Sequence, residues 1–413
     1  MFFAKAVRAD ARDAYKRDSV GGMLVGFYTG AIFPFIGFIA RDKLHASVSL
    51  IALMTAAPFI GNMFALFYAN AMEGRKKQPF VVWSGGVARA LFFLMLFATT
   101  PLRFALIVSV IQIVATVATP AYAAVMKEIY PDEQRGQIMA YIRVGMAMMT
   151  FFSTLLVGPL LSGDNFRYIF PIAGLIGVGS SIAFSTIRTA DVDPSHPDNR
   201  KTPTWQFLRS TMLILRDDIN YRWFAISIFI FGFGHLLIAP LFPVYQVDRL
   251  RITATQVAVL SNVTNVFWML SYLFWGKYVD LRSPLKAVTI NVLLICFIPL
   301  IYFWSNNVWM LLPASVIAGI TTGGIDLSYF NSILRLADEG KESQYQALHS
   351  FWLGVRGTTA PFAGAALVSL FKANDLQMRY VFLIGLVVML AGLVAQVVGV
   401  RERYGTHSAG LPG

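Results

Sequence analysis

The chain has 413 residues, 56% of them hydrophobic and only 14% charged, with a mean hydropathy of +0.61. A soluble domain carries about 25% charged residues, and one this apolar would expose large greasy patches, so the composition points to lipid as the solvent. The net charge of +12 falls in short clusters between apolar runs rather than along one stripe, which argues against nucleic-acid binding and matches the pattern that orients membrane proteins.

The opening segment, MFFAKAVRADARDAYKRDS, is too polar for a secretory signal, so the first apolar run is expected to stay as a span. A spanning helix needs about 20 mostly apolar residues. Twelve such runs follow, at 20–40, 47–72, 80–99, 102–126, 138–161, 168–187, 223–247, 256–279, 285–304, 309–334, 348–371 and 380–400. Most connections are short, which makes neighbouring helices antiparallel. The exception is 188–222. It opens with the polar, Pro-containing stretch DVDPSHPDNRKTP and continues with Trp205, Leu208, Met212 and Leu215 at helical spacing, with Arg209 and Arg216 among them. That pattern predicts a linker and then an amphipathic helix, lying either on the membrane surface or on the protein's own inner face. The expected organisation is all-α: a six-helix bundle at 1–187, a cytoplasmic linker at 188–222 and a second six-helix bundle at 223–413. Of the 34 Lys and Arg, 23 fall on the side of the termini and 8 on the opposite side. This bias predicts a multi-pass protein of the cytoplasmic (inner) membrane with both termini in the cytoplasm.

Shifting the chain by 206 residues superimposes GFYTGAIFPFIGFIARDKL, from Gly26, on GFGHLLIAPLFPVYQVDRL, from Gly232. Gly26 and Gly232, Phe27 and Phe233, Pro34 and Pro240, and Asp42 and Asp248 coincide, and the same offset aligns Asp132-Glu133 with Asp338-Glu339. RYIFPI from Arg167 matches RYVFLI from Arg379. With six helices in each repeat, the halves share one orientation in the membrane and are parallel repeats. After the second run stand Glu73, Gly74 and Arg75; the matching loop of the second half holds Gly276, Asp280 and Arg282. Pro131-Asp132-Glu133-Gln134-Arg135-Gly136 follows the fourth run, and Gly158-Pro159-Leu160-Leu161-Ser162-Gly163 ends the fifth.

The duplication, the central linker and these loops resemble the major facilitator superfamily across nearly the whole chain. The loop motif G-x-x-x-D-R-x-G-R-[RK] is kept only in part, with Ala71 where the acid belongs. Arg135 matches the P-x-x-x-R-G loop. Gly158-Pro159 matches part of the antiporter motif, in which Thr154 replaces the first Gly. The resemblance implies twelve helices in two bundles that rock about a central site lined by the first, fourth, seventh and tenth helices. It also implies a monomeric carrier for a small molecule. The Glu73/Arg75 and Asp280/Arg282 clusters would hold the cytoplasmic side shut, although simple positive-inside bias also accounts for them.

A charge in hydrocarbon is costly, so ionisable residues inside the runs are functional candidates. Counting 1.5 Å per residue from the cytoplasmic ends, Arg89, His235, Asp326 and Arg356 lie roughly 12–18 Å deep. Asp326 is a candidate proton-coupling carboxylate; the alternative is a permanent ion pair with Arg356 on the next helix. His235 is either a titrating group or a neutral interhelical donor. Arg356 would bind an anionic substrate or restrain Asp326, and Arg89 would contact substrate or a structural partner. Gln112, Asn262, Asn265 and Asn291 would line a polar path or bond neighbouring helices. Pro34 and Pro240 would bend the two leading helices.

Several chemistries are absent from the sequence. There is no GxxxxGK[ST] phosphate loop, no HExxH and no GxSxG, and Cys296 is the one cysteine. Neither an enzyme nor a bound cofactor or metal is expected. The reading is secondary active transport of a small organic solute by alternating access, coupled to protons, with export ahead of an uptake symporter or facilitator. A solute receptor without flux is the rival of a different class.

Overall fold

The computed structural model describes residues 6–72, 75–189, 212–338, 341–373 and 377–400. Among these, twelve helical spans follow the twelve apolar runs. In chain order they are α1 (Arg12–Asp42), α2 (Val48–Met63, continued by Ala65–Met72), α3 (Gln78–Phe97), α4 (Pro101–Ile129), α5 (Asp132–Leu160) and α6 (Phe166–Ser185). The second half repeats them as α7 (Ile219–Asp248), α8 (Ala254–Leu281), α9 (Pro284–Trp304), α10 (Val308–Leu336), α11 (Glu342–Ala373) and α12 (Tyr380–Gly399). Ten are both long and apolar enough to cross a bilayer. Of the other two, α2 is split at Phe64 and α11 opens with polar turns.

Backbone groups left unpaired in lipid are expensive, so helix ends matter. Ser47, Thr100, Asp218, Thr253, Ser283 and Asn307 each accept a hydrogen bond from a backbone N–H in the first turn of the following helix. Thr253 and Gln256 form a reciprocal capping box. Pro34 interrupts α1 with a 3-10 turn at Phe33–Phe35, and α7 breaks at the matched Pro240, between Ile238 and Leu241. Several helices run past their apolar runs on the side of the termini. α1 begins at Arg12, α5 at Asp132 and α11 at Glu342. Water solvates polar side chains there, so the helix continues where hydropathy ends. Of the expected linker helix, residues 212–217 are helical, with Ile214 buried in the main core and Leu215 packed against it. Trp205 and Leu208 lie outside the described residues.

Each half packs in the same order. α1 lies against α5 and α6 as α7 lies against α11 and α12, and α2 packs on α4 as α8 packs on α10. The halves meet where α2 faces α11 and α5 faces α8. With an even number of spans the first and last helices end on one side, here the terminal face, and the other side is the far face. The contacts between halves gather toward the far face. Arg41 grips Asp248 with Nε at 2.7 Å and Nη2 at 2.5 Å. Gly37 sits against Pro243, and a methyl built on Gly158 would lie 2.8 Å from the Ala258 Cβ. Asn262 donates to the Phe151 carbonyl at 3.2 Å, and the Phe59 ring lies on Gly357 nearer the middle. The molecule is therefore closed at the far face. Exposed side chains such as Trp83, Leu273 and Val398 form the greasy outer belt.

Candidate central transport site

α10 approaches α8 through Gly319 and Gly323 and α9 through Gly324. Its opposite face leaves Thr322, Asp326 and Phe330 exposed at four-residue spacing. Tyr272 of α8 donates to Asp326 at 2.8 Å. Arg143, exposed on α5, lies within electrostatic reach of Tyr272 from the other half. Among the described residues no ion pair joins Asp326 to Arg356. Arg356 is buried between α7 and α11, where it donates to the Ile228 carbonyl and lies against Tyr329 and Gly232. The two residues sit on successive helices but point to different sides of the bundle.

A cavity of about 370 Å³ opens in the first half among α1, α3, α4, α5 and α6. Asp18, Arg89, Tyr122 and Arg143 line it together with Ser180 and Ser181. Arg89 donates to the Ser181 hydroxyl at 2.5 Å and rests over the Tyr28 ring, 5.7 Å from its centroid. Asp18 is 3% exposed and accepts from the Tyr130 hydroxyl at 2.9 Å. A second cavity of about 350 Å³ lies toward the far face between Pro34 and the second half, lined by His235, Gln246, Ser261, Thr264 and Tyr302. His235 stacks on Phe231 at 6.3 Å, and among the described residues its Nδ1 has no hydrogen-bond partner. Gln246 donates to the Tyr302 hydroxyl at 2.7 Å.

The remaining expected residues divide between cavities and joints. Gln112 donates to the Met54 carbonyl at 3.0 Å, tying α4 to α2. Asn262 ties α8 to α5, and Asn291, fully buried, donates to Ala287 of its own helix at 2.8 Å. Asn265 is half-buried on α8. Arg135 reaches the Lys127 carbonyl at 3.2 Å and the Tyr130 carbonyl at 3.4 Å, satisfying the end of α4. Gly158 lets α5 and α8 touch, while Pro159 stands exposed in the last turn of α5. Arg75 and Arg282 are exposed at the terminal face, and a side chain at Gly276 would meet open space. Asp280 belongs to the last turn of α8, and Glu73 and Gly74 lie outside the described residues. Sequence reasoning passed over Asp18, Tyr122, Arg143 and Tyr272, and saw Asp248 only as a repeat marker. Asp18 lies just before the first apolar run, whereas Arg143, a charge inside the fifth, is visible in the sequence.

The pattern of the Major Facilitator Superfamily matches residues 19–305. No curated protein matches by sequence. Among solved structures, a mutant of the nucleoside transporter NupG superimposes with a TM-score of 0.74 at 10% identity, covering 94% of this chain and 100% of that one. NupG itself gives 0.69 at 12% identity, over 93% and 98%. A bacterial homolog of the human lysosomal transporter Spinster, in an inward-facing and occupied conformation, gives 0.65 at 14% identity, over 95% and 96%. At these identities the likeness speaks for the fold. With more than half of its length matched by the family pattern, the chain belongs to the major facilitator superfamily, a transporter and not an enzyme.

Proposed function

We propose that this carrier moves a small organic solute by alternating access and couples that movement to protons through Asp326. The observation that carries the reading is the setting of Asp326. Its carboxyl lies on the exposed face of α10, held by a tyrosine hydroxyl and, among the described residues, by no ion pair to a cation. A carboxyl so placed can gain and lose a proton as the halves exchange access. The Lys and Arg bias makes the terminal face cytoplasmic, so a far face that is closed corresponds to an inward-facing state of a protein in the cytoplasmic membrane. Export is the favoured direction, because the Gly158-Pro159 segment that resembles the antiporter motif forms the far-side joint between α5 and α8.

Reconstituted vesicles carrying an internal pH dye, a solute panel and an imposed pH step test this reading. Wild-type protein should give solute-dependent proton movement, and its sign separates exchange from co-transport. Asp326→Asn should reduce gradient-driven flux to the level of empty vesicles while leaving solute counterflow. Unchanged proton coupling in that variant removes Asp326 from the mechanism. Binding with no flux in the wild type would instead identify a receptor.

A further inference from the structure

We infer that the first-half cavity recognises a small organic anion, with Arg143 and Arg89 as its cationic contacts; this rests on the transport reading above and names its substrate class. Arginines inside membrane spans are ordinarily paired with carboxylates or backbone carbonyls. Here the cavity holds two arginines and one acid. The acid, Asp18, is turned to the Tyr130 hydroxyl. Arg89 is held by neutral partners, a serine hydroxyl and the face of a tyrosine ring. Arg143 has neither an ion pair nor a hydrogen bond among the described residues. Among its lining residues the cavity thus keeps one positive charge without a counter-charge, on a guanidinium that is open to an entering ligand.

The walls select what completes it. Val25, Ile142, Met146 and Phe184 give an apolar surface, and Thr119 and Ser180 add neutral polar groups. A cavity of about 370 Å³ suits a small molecule with an apolar body and one anionic end. Guanidinium groups match carboxylates and phosphates through paired N–H donors, which lysines do not provide.

The repeat supplies an internal control. At the 206-residue offset, Gly22, Arg143 and Met146 correspond to Ile228, His349 and Trp352. Those three line the matching place in the second half, where the space shrinks to about 10 Å³. That is room for about one water molecule. The scaffold does not require this cavity, since its own duplicate fills it with large side chains.

The test is ligand-induced thermal stabilisation of the detergent-purified full chain. The probes are benzoate and phenylphosphonate, their neutral counterpart benzamide, and the cation benzylamine. Saturable stabilisation by an anion and not by benzamide or benzylamine is the expected result. Arg143→Gln and Arg89→Gln should each weaken it about tenfold or more, and Arg143→Lys should restore part of it. Should either glutamine variant fold poorly, Met146→Trp, which imports the second half's plug, should abolish binding without touching a charge. Stabilisation by none of the anions, by benzamide or benzylamine equally, or undiminished in Arg143→Gln overturns the inference. The transport reading is tested by proton-coupled flux in vesicles and this one by anion stabilisation of the purified chain, so flux without saturable anion binding overturns only this inference, and anion binding without flux overturns only the transport reading.

Discussion

The two halves share a backbone plan but close their leading helices differently. In the first, Gly26 of α1 lies directly on the backbone of Met146 in α5, and Thr150 donates to the Gly26 carbonyl at 3.0 Å. In the second, Gly232 of α7 lies on the guanidinium of Arg356 in α11, which donates to the Ile228 carbonyl. Thr150 and Arg356 are 206 residues apart, as are the two glycines. The same joint is made backbone to backbone with a hydroxyl in one half and through a buried charge in the other. Duplication fixed where the helices cross; what fills the crossing was free to change.

The largest expected effect tests that contrast. A Cβ at position 26 would collide with backbone atoms of Met146, which cannot move without shifting α5. A Cβ at position 232 would collide with the end of a long side chain. Gly26→Ala should therefore lower stability by about 2–3 kcal/mol, the upper part of the overpacking range, and Gly232→Ala by visibly less. Melting of the two variants in detergent, side by side, checks this. Equal losses would mean that Arg356 is as immovable as backbone.

Arg356 supplies the next comparison. A buried charge with no carboxylate partner among the described residues is a liability for the fold, and replacing buried ionic groups with apolar residues of similar size is often neutral or stabilising by about 1–4 kcal/mol. Arg356→Met should hold or raise the melting temperature, and ligand binding in the first-half cavity should be unchanged. A loss of binding would return Arg356 to the substrate path, where the sequence alone had allowed it to stand.

The fold was legible because its signals are additive and local. Twelve apolar runs and the matched Pro34 and Pro240 each speak for their own helix, and the structure assembles them in the order the repeat implies. The site was less legible because it depends on rotation about helix axes. Asp326 and Arg356 lie at similar depth on neighbouring helices, which made an ion pair plausible, yet depth says nothing about direction. Tyr272 was one aromatic residue among many, and Asp18 lay outside the apolar window that selected candidates. Arg41 and Asp248 are far apart in sequence and become partners only because two bundles close.

That last pair gives the smallest effect and the most specific one. Arg41 and Asp248 join the halves only while the far face is closed, so their energy enters the balance between conformations and not the stability of either bundle. Their side chains are 18% and 37% exposed, and ion pairs of that kind contribute about 0.2–1 kcal/mol. Asp248→Asn should therefore shift the population toward the far-open state by up to about fivefold, since 1.4 kcal/mol is tenfold. High salt should mimic the substitution in the wild type and add little in the variant, because screening and mutation remove the same attraction. Distances between spin labels on the far ends of α1 and α7 report the two populations directly. An unchanged distribution in Asp248→Asn would show that Gly37 against Pro243 and Gly158 against Ala258 close this face by packing alone, leaving the ion pair as a passenger.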